Sequence, residues 1–514
     1  MTVATRRRPA TDDALADAAR KLLGARRLII AANRGPVSFS AASDGSLRPR
    51  RGSGGLVTAL GEIGRYVPLT WVAAAMSDAD RRAAEGSGLL ERAVPEADVR
   101  LRFVTTDRST YEAAYNVIAN PLLWFLQHQM WNLPEQPQID ARTMRAWQQG
   151  YAPINSAFAR AAVAAAGPDE EPRIMLHDYH LYLAAAEIRR QRPNALVSHF
   201  THIPWPPSSL WQVMPPFMRT AICEGLCAND VVGFQTERYR HNFLRTAESF
   251  LSDARVDYDA GSVTWRGRVT WARCYPISID VEATRSLARS MAADHRREEL
   301  RRFGGEFTLV RVDRLEPSKN ILRGFLAYEA LITRHPEYRG RVNFLAFLVP
   351  SRTSLKEYGD YGRRVQEVVD RINARFGSAV HRPIHLFYEN DYVQALAGLS
   401  LADVVLVNPL IDGMNLVAKE AVTVTQRDAA LVLSETAGAF DQMSEGALAV
   451  APADVIGTAD AIAAGLTMPA EERARRIRLL RTGVEREDIA WWLRHQLTDL
   501  AEVGATRGAT AVVS

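Results

Sequence analysis

Only 3 cysteines occur in 514 residues, at positions 223, 227 and 274, with no paired C-x-x-C spacing and no neighbouring histidines. So sparse and odd a set excludes a disulfide framework and offers no zinc-ligand pattern; buried thiols in a reducing compartment are expected. No apolar run approaches the ~20 residues needed to cross a bilayer, and the start, Met1-Thr-Val-Ala-Thr-Arg-Arg-Arg8, has no apolar core for a secretory signal. A cytoplasmic protein with no membrane partner is expected. An excess of one charge is also missing: 63 Lys and Arg against 59 Asp and Glu leave a formal +4. Arginines alternate with acids in segments such as Glu471-Glu-Arg-Ala-Arg-Arg-Ile-Arg478, the pattern of solvated helix faces, so no nucleic-acid partner is expected.

What is present is length and alternation. A chain of 514 residues exceeds one core of usual size and suggests two large domains. Residues 1–26, rich in Arg, Ala and Asp, read as a flexible N-terminal arm or surface helix. Short apolar runs then alternate with helical patterns, first at Arg27-Leu-Ile-Ile-Ala-Ala-Asn33, Thr70-Trp-Val-Ala-Ala-Ala75, Ile174-Met-Leu-His177, Leu196-Val-Ser-His-Phe200 and Asp230-Val-Val-Gly-Phe234. A second series runs through Phe307-Thr-Leu-Val-Arg-Val312, Val342 to Val349, Ile384-His-Leu-Phe387, Val404-Val-Leu-Val407 and Ala430-Leu-Val-Leu433. The fold class expected is α/β, with two doubly wound halves of parallel sheet wrapped by helices: residues 27–277, residues 278–484, and an amphipathic 485–514 returning to the first half. The charged stretch from 277 to 300 reads as a hinge, with a ligand cleft expected between the halves.

Asn408-Pro-Leu-Ile-Asp-Gly-Met-Asn-Leu-Val-Ala-Lys-Glu420 is the most informative segment. It follows a β-branched run suited to a strand buried on both faces, breaks at Asp412-Gly413 and enters a helix near Asn415. Ligands settle at such carboxyl ends. The helix start offers unpaired N–H groups to an anion, and Glu420, about one turn in, suits sugar hydroxyls. Arg314 and Lys319, five residues apart across a proline turn, suit either a diphosphate or a solvated salt bridge with Asp313 or Glu316. Arg352 closes another strand as a further candidate anion contact.

In the first half, Arg34 ends the first strand, and Gly54-Gly55 would let backbone N–H groups approach a phosphate or simply turn the chain. Histidines at 177, 180, 199 and 202 end two apolar runs; they lack a recognised ligand spacing, and no metal is assigned. Asp178 and His202 are better placed as contacts to hydroxyls. Tyr115 and Trp124 offer aromatic faces for a sugar ring or for helix packing.

Taken in order, Asn33-Arg34, Gly54-Gly55, His177-Asp178-Tyr179-His180, His202-Ile-Pro204, Gly233-Phe-Gln-Thr-Glu237, Arg314 with Lys319, and Asp412 to Glu420 closely resemble the trehalose-6-phosphate synthase family of retaining glycosyltransferases, family 20. The resemblance runs from about residue 27 to 500 and implies a GT-B fold of two Rossmann-like domains facing each other across a cleft. It implies transfer of glucose from GDP- or UDP-glucose to glucose-6-phosphate or a similar phosphorylated acceptor, with retention and with neither cofactor nor metal. By matching positions it implies that Arg314 and Lys319 hold the donor diphosphate and Glu420 the ribose. Gly54, Gly55, His202, Asp412, Gly413, Met414, Asn415, Leu416 and Val417 would surround the donor's phosphate and glucose. Arg34, Tyr115, Trp124 and Arg352 would hold the acceptor, with Asp178 near its reacting hydroxyl.

Two departures keep the substrates open. The stretch Trp71-Val-Ala-Ala-Ala-Met76 lacks a second tryptophan and glycines common in the family, and Leu315-Glu-Pro-Ser-Lys-Asn320 replaces the commoner Leu-Asp-Tyr-Ser-Lys-Gly. A similar Pro-x-Lys-Asn turn occurs in relatives that couple cyclitols. Base choice, self-association and a non-catalytic sugar-phosphate-binding role are left open as well.

Overall fold

Runs of apolar, largely β-branched residues too short for helices become strands buried on both faces, and the amphipathic segments between them become the helices that cover those faces. A computed structural model of the chain describes residues 10–51, 64, 67–85, 98–168, 170–303, 305–351 and 356–513. The chain divides into two units, residues 1–275 with 490–514, and residues 276–489.

The first unit contains, in chain order, β1 (Leu28–Ala31), β2 (Val37–Ala41), β3 (Leu47–Arg51), β4 (Leu69–Ala74), β5 (Val99–Val104), β6 (Arg173–His177), β7 (Leu196–Phe200), β8 (Val231–Phe234), β9 (Arg255–Asp257), β10 (Ser262–Trp265) and β11 (Arg268–Cys274). Its main sheet has the order β5-β4-β1-β6-β7-β8-β11-β10-β9. From β5 to β11 neighbours are parallel; β10 and β9 add an antiparallel edge. Ile29, Val72, Ile174 and Val197 share a core with Phe158 and Ala162 of helix Ala152–Ala165 and Ile188 of helix Ala184–Gln191. The first six parallel strands follow the Rossmann order 3-2-1-4-5-6, so the direction of winding reverses between β1 and β6.

The second unit repeats the plan with β12 (Phe307–Leu315), β13 (Val342–Pro350), β14 (Ile384–Phe387), β15 (Val404–Val407), β16 (Ala430–Ser434) and β17 (Leu448–Val450). The order β14-β13-β12-β15-β16-β17, all parallel, reverses between β12 and β15. Phe325, Tyr328 and Leu331 of helix Ile321–Arg334, with Val365 and Val369 of helix Lys356–Phe376, pack on Leu309, Phe344, Leu406 and Val432.

One expectation sharpens and one changes. The arm takes the helical alternative, from Ala10 to Leu23, with Leu15, Ala18, Ala19, Leu22 and Leu23 buried along one stripe and Asp17, Arg20 and Lys21 half or more exposed. The expected hinge is folded as helices Val281–Ala288 and Met291–Arg301 within the second unit, and the chain crosses between units at 275/276 and 489/490. Beyond β1 the chain forms a hairpin, β2 with β3, closed by the Ala42 N–H on Ser46 O at 2.8 Å and by Gly45 at φ +79°. Helix Ile489–Val513 belongs largely to the first unit, where Trp492 lies edge-on to Phe200 at 5.2 Å and the Tyr275 hydroxyl donates to Asp499 at 2.5 Å. No helix of the described residues is long and apolar enough to cross a membrane.

Because Leu15 is fully buried, Leu15→Ala is expected to lower unfolding free energy by about 2–4 kcal/mol in urea titration. A change under ~0.5 kcal/mol would show the segment to be a loose arm.

Candidate active site

In each unit several residues singled out from the sequence lie at the carboxyl ends of the strands flanking the winding reversal: Arg34 and Asp178 beyond β1 and β6, and Arg314, Lys319 and Asp412 at or beyond the ends of β12 and β15. In the second unit β12 ends at Leu315 and the turn Pro317–Lys319 follows, while β15 leads to Asp412 and helix Leu416–Val424. Leu410 N–H donates to Ser318 O at 2.8 Å, tying the two segments together. Lys319 Nζ lies 2.5 Å from Asp412 Oδ2, which also accepts from Asn415 Nδ2 at 3.1 Å. Burial alone would depress the Lys319 ammonium, but Asp412, Glu316 and Asp313 outweigh it and hold its pKa above the ordinary lysine value despite nearby Arg314. Arg314 pairs with the buried Glu316 at 3.0 Å while its own side chain stays 51% exposed, and Ser318 Oγ donates to Glu316 at 3.3 Å. Asp313 instead faces Arg311.

Asn415 caps the helix by accepting from Ala418 N–H at 3.2 Å, in a left-handed conformation at φ +84°. Gly413, Met414 and Asn415 are buried, and Leu416 and Val417 open the helix, where the first N–H groups have no intrahelical acceptor. Gly438 must be glycine, since a Cβ there would lie 1.9 Å from Gly413 O. Glu420, a turn further on, accepts from the Tyr392 hydroxyl at 2.9 Å; burial pushes its carboxyl up to about 7, against the pull of that bond. Beside it Lys419 is buried and donates to Ile277 O at 2.8 Å; burial pulls its ammonium down to about 7, Glu487 opposing.

In the first unit Asp178 leaves β6 at φ +71°, ψ 171°, a region populated almost only by glycine. Its N–H donates to Phe200 O at 2.8 Å and its Oδ1 accepts from His202 N–H at 3.3 Å. His202 Nε2 and His177 Nδ1 are 3.1 Å apart, and burial keeps both rings neutral. Tyr115 stacks between Tyr111, at 5.5 Å, and His180, at 5.9 Å, on the widened π-type turns of Ala114–Trp124. Arg34 is exposed beside Asn33, which bonds the Tyr111 hydroxyl at 3.3 Å. Trp124, which the resemblance assigns to the acceptor, has its ring buried against Phe125 and His128, the latter stacked at 4.0 Å. Gly54, Gly55 and Arg352 lie outside the described residues. Among the described residues no three His, Cys, Asp or Glu are placed to hold a metal ion.

Residues 26–502 match glycosyltransferase family 20. The chain belongs to that family. It is 36% identical to the bifunctional trehalose-6-phosphate synthase/phosphatase of Thermoproteus tenax over 91% of its own length, spanning 62% of that relative. It is 33% identical to the trehalose-6-phosphate synthase of Mycolicibacterium smegmatis, over 94% of each chain. A validamine 7-phosphate valienyltransferase of Streptomyces hygroscopicus is 28% identical over 94% of this chain and 96% of that one. Among solved structures, the E. coli trehalose-6-phosphate protein bound with UDP-2-fluoro glucose superposes with TM-score 0.77 at 26% identity, over 92% and 99% of the chains. A Burkholderia xenovorans synthase in complex with glucose-6-phosphate gives 0.78 at 26%, over 92% and 99%. This family 20 glycosyltransferase therefore has the GT-B fold, two Rossmann-like domains, as expected from its motifs.

Several residues that touch the candidate site were not singled out from the sequence. Arg311, fully buried, is bonded to Asp313 Oδ2 (2.7 Å) and to the carbonyls of Lys319 (3.0 Å) and Ile321 (3.3 Å). A lone arginine inside an apolar strand was the available signal. Tyr392 carried none, since it is recognisable only from its partner Glu420.

Two predictions follow from strain and burial. Asp178→Gly should raise unfolding free energy by about 1 kcal/mol, whereas Asp178→Ala, as strained as the parent, should not; equal stability of the two variants would remove the strain. A buried lysine whose folded pKa is lowered destabilises fully below that pKa, and the penalty fades as pH rises toward the unfolded value. The stability difference between Lys419→Met and the wild type should therefore shrink by ~3 kcal/mol between about pH 6 and about pH 9.5 in chemical denaturation. A pH-independent difference would mean that Lys419 titrates normally.

Proposed function

We propose that this family 20 enzyme transfers glucose from a nucleoside diphosphate glucose to the C1 hydroxyl of glucose-6-phosphate, forming α,α-trehalose-6-phosphate with the donor's α-anomeric configuration retained. The observation that carries the reading is the convergence of Arg314, Lys319, Asp412 and the start of helix Leu416–Val424 where the second sheet reverses. Two cations beside free helix N–H groups suit a diphosphate that gains charge as its bond to the sugar breaks. On this reading Arg314 and Lys319 grip the diphosphate, and Glu420, braced by Tyr392, takes the ribose. Asp412, His202, Gly54, Gly55 and the backbone from Gly413 to Val417 contact the donor's phosphate and glucose. Arg34, Tyr115 and Arg352 are assigned to the acceptor, and Asp178 to its reacting hydroxyl.

The step needs no protein nucleophile. The bond between the anomeric carbon and the leaving phosphate oxygen breaks while the acceptor hydroxyl bonds to the same face, and its proton passes to the departing oxygen. Charge neutralisation falls to the two side-chain cations, so the reading calls for no metal or cofactor. Relatives named as trehalose-6-phosphate synthases, one over nearly its whole length, support the reaction, and a neighbour holding a UDP-sugar analogue supports UDP-glucose as a donor alongside GDP-glucose. A second reading, a cyclitol phosphate as acceptor, is favoured by the valienyltransferase relative and by the Pro317-Ser-Lys319-Asn320 turn.

Purified enzyme is to be incubated with UDP- or GDP-glucose and a panel of phosphorylated acceptors, following nucleoside diphosphate release and product mass. A disaccharide phosphate is expected with glucose-6-phosphate, and Arg314→Ala or Lys319→Ala should each slow turnover ~100-fold or more. Release with a cyclitol phosphate alone selects the second reading. No nucleoside diphosphate with any acceptor, or unchanged turnover in both variants, sinks the proposal.

A further inference from the structure

At the opposite, amino-terminal edge of the first sheet lies a basic cluster that the proposed reaction does not use. Arg173 opens β6 and Arg268 opens β11, while Asp230 directly precedes β8. Arg189 reaches in from helix Ala184–Gln191 and Arg507 from the C-terminal helix. Arg189, Arg268 and Arg507 meet at Asp230, which is buried. Its Oδ2 accepts from Arg189 at 3.0 Å and from Val197 N–H at 2.8 Å, and its Oδ1 from Arg268 at 3.2 Å and Arg507 at 2.6 Å. Those four bonds fill the acceptor capacity of one carboxylate.

A purely structural role accounts for only part of this. Arg189 is spent on the fold, because its remaining N–H groups cap the carbonyls of Pro193, Ala195 and Ala228. Arg268 and Arg507 are not. Each uses Nη1 on Asp230, Arg507 adding a 3.5 Å contact to Ala195 O, and among the described residues their other donors have no protein acceptor. The two side chains stay 28% and 34% exposed. Arg173 donates to Leu22 O at 3.4 Å and Glu171 O at 3.1 Å, has the Glu171 carboxylate at 3.9 Å, and stands beside Arg26, whose buried Nε is without a partner among the described residues. Four guanidiniums, those of Arg173, Arg189, Arg268 and Arg507, thus share two carboxylates, Asp230 and Glu171, with Arg26 beside Arg173. Burial, with Arg189 and Arg507 adding repulsion, pulls even Arg268 down to about 10.

We infer that this edge is a binding site for a phosphate group, held by Arg268 and Arg507 with Arg173 and Arg26 behind them, and that the bound anion ties the C-terminal helix to the sheet. Planar guanidinium forks at the rim of a half-buried cluster match the paired oxygens of a tetrahedral dianion, and a dianion would cancel most of the excess charge. The phosphate could be free or carried on a small phosphomonoester.

Limited phenylglyoxal modification of the full chain, read residue by residue by peptide mass spectrometry, tests this away from the active site. Inorganic phosphate at about four times its Kd should slow modification of both Arg268 and Arg507 ~5-fold, and sodium chloride at matched ionic strength should not. Stronger protection by glucose-6-phosphate than by inorganic phosphate identifies a phosphomonoester; the reverse order identifies free phosphate. Arg268→Gln should abolish phosphate protection at Arg507, and Arg507→Gln that at Arg268, with thermal midpoints near the wild type's. Equal rates in phosphate and chloride, or protection at Arg507 that persists in the Arg268→Gln protein, overturns the site.

Discussion

The second unit is organised around a guanidinium sealed inside it. Arg311 sits mid-way along β12 with no solvent exposure, paired with Asp313 two residues on and so on the same face of the strand. Its desolvation is costly, and removing either partner of such a pair typically costs ~3–5 kcal/mol because a buried charge is left uncompensated. The same side chain bonds the carbonyls of Lys319 and Ile321, and Gly324 clears its path: a Cβ there would lie 2.2 Å from Nη1. The turn carrying Lys319 is therefore fastened to the rigid strand from behind, and the position of its ammonium follows from the core.

Both units use the same winding, and three of the seven non-glycine residues at positive φ among the described residues lie at the reversals. Asp178, Asn320 and Asn415 are non-glycine residues at positive φ, each just beyond a strand end or at a helix start. Such conformations cost ~1–3 kcal/mol and persist only where neighbours over-determine them. Here they do. Asn320 Nδ2 bonds the carbonyls of Asn408 (3.0 Å) and Pro452 (2.6 Å), Asn415 caps its helix and holds Asp412, and Asp178 is pinned between Phe200 and His202. At Asn415 and Asp178 the side chain at the odd backbone also holds a candidate site residue, Asp412 and His202 respectively.

The sequence discloses those parts whose physics is local. β15, an apolar run broken by Asp412-Gly413 ahead of a helix, is readable because burial, turn chemistry and helix capping are all written within about fifteen residues. The cations of the Pro317 turn are readable for the same reason, although which carboxylate each would meet is not: Arg314 takes Glu316, while Lys319 takes Asp412, 93 positions away. The fate of Trp124 depends on His128 and Phe125 covering its ring, and a tryptophan at helical spacing reads alike whether it faces a ligand or the interior. The helix at 10–23 was legible in the spacing of Leu15, Ala18, Leu22 and their neighbours, but its density of charge drew attention to the wrong face. Arg311 and Tyr392 matter through partners distant in sequence, and composition and periodicity carry no information about those.

The pairing of both cations with carboxylates bears on how the site would work. Two like charges on one short turn repel each other, and Arg314 does lower the proton affinity of Lys319; Glu316 and Asp412 offset that repulsion and let the turn exist. The two pairs differ in freedom. Glu316 is buried and held by Ser318, but the Arg314 side chain is half exposed, so the outer edge of its guanidinium can address a ligand while the inner edge stays on Glu316. Lys319 is only 11% exposed, fixed by Asp412, and its strengthened protonation keeps the charge in place through the pH range where a sugar phosphate is dianionic. If the donor binds as proposed, the carboxylates weaken the grip on the ground-state diphosphate and hold the cations where charge will grow as the glycosyl bond breaks. That arrangement lowers the barrier more than it tightens binding, because little of the polar environment has to reorganise during the step.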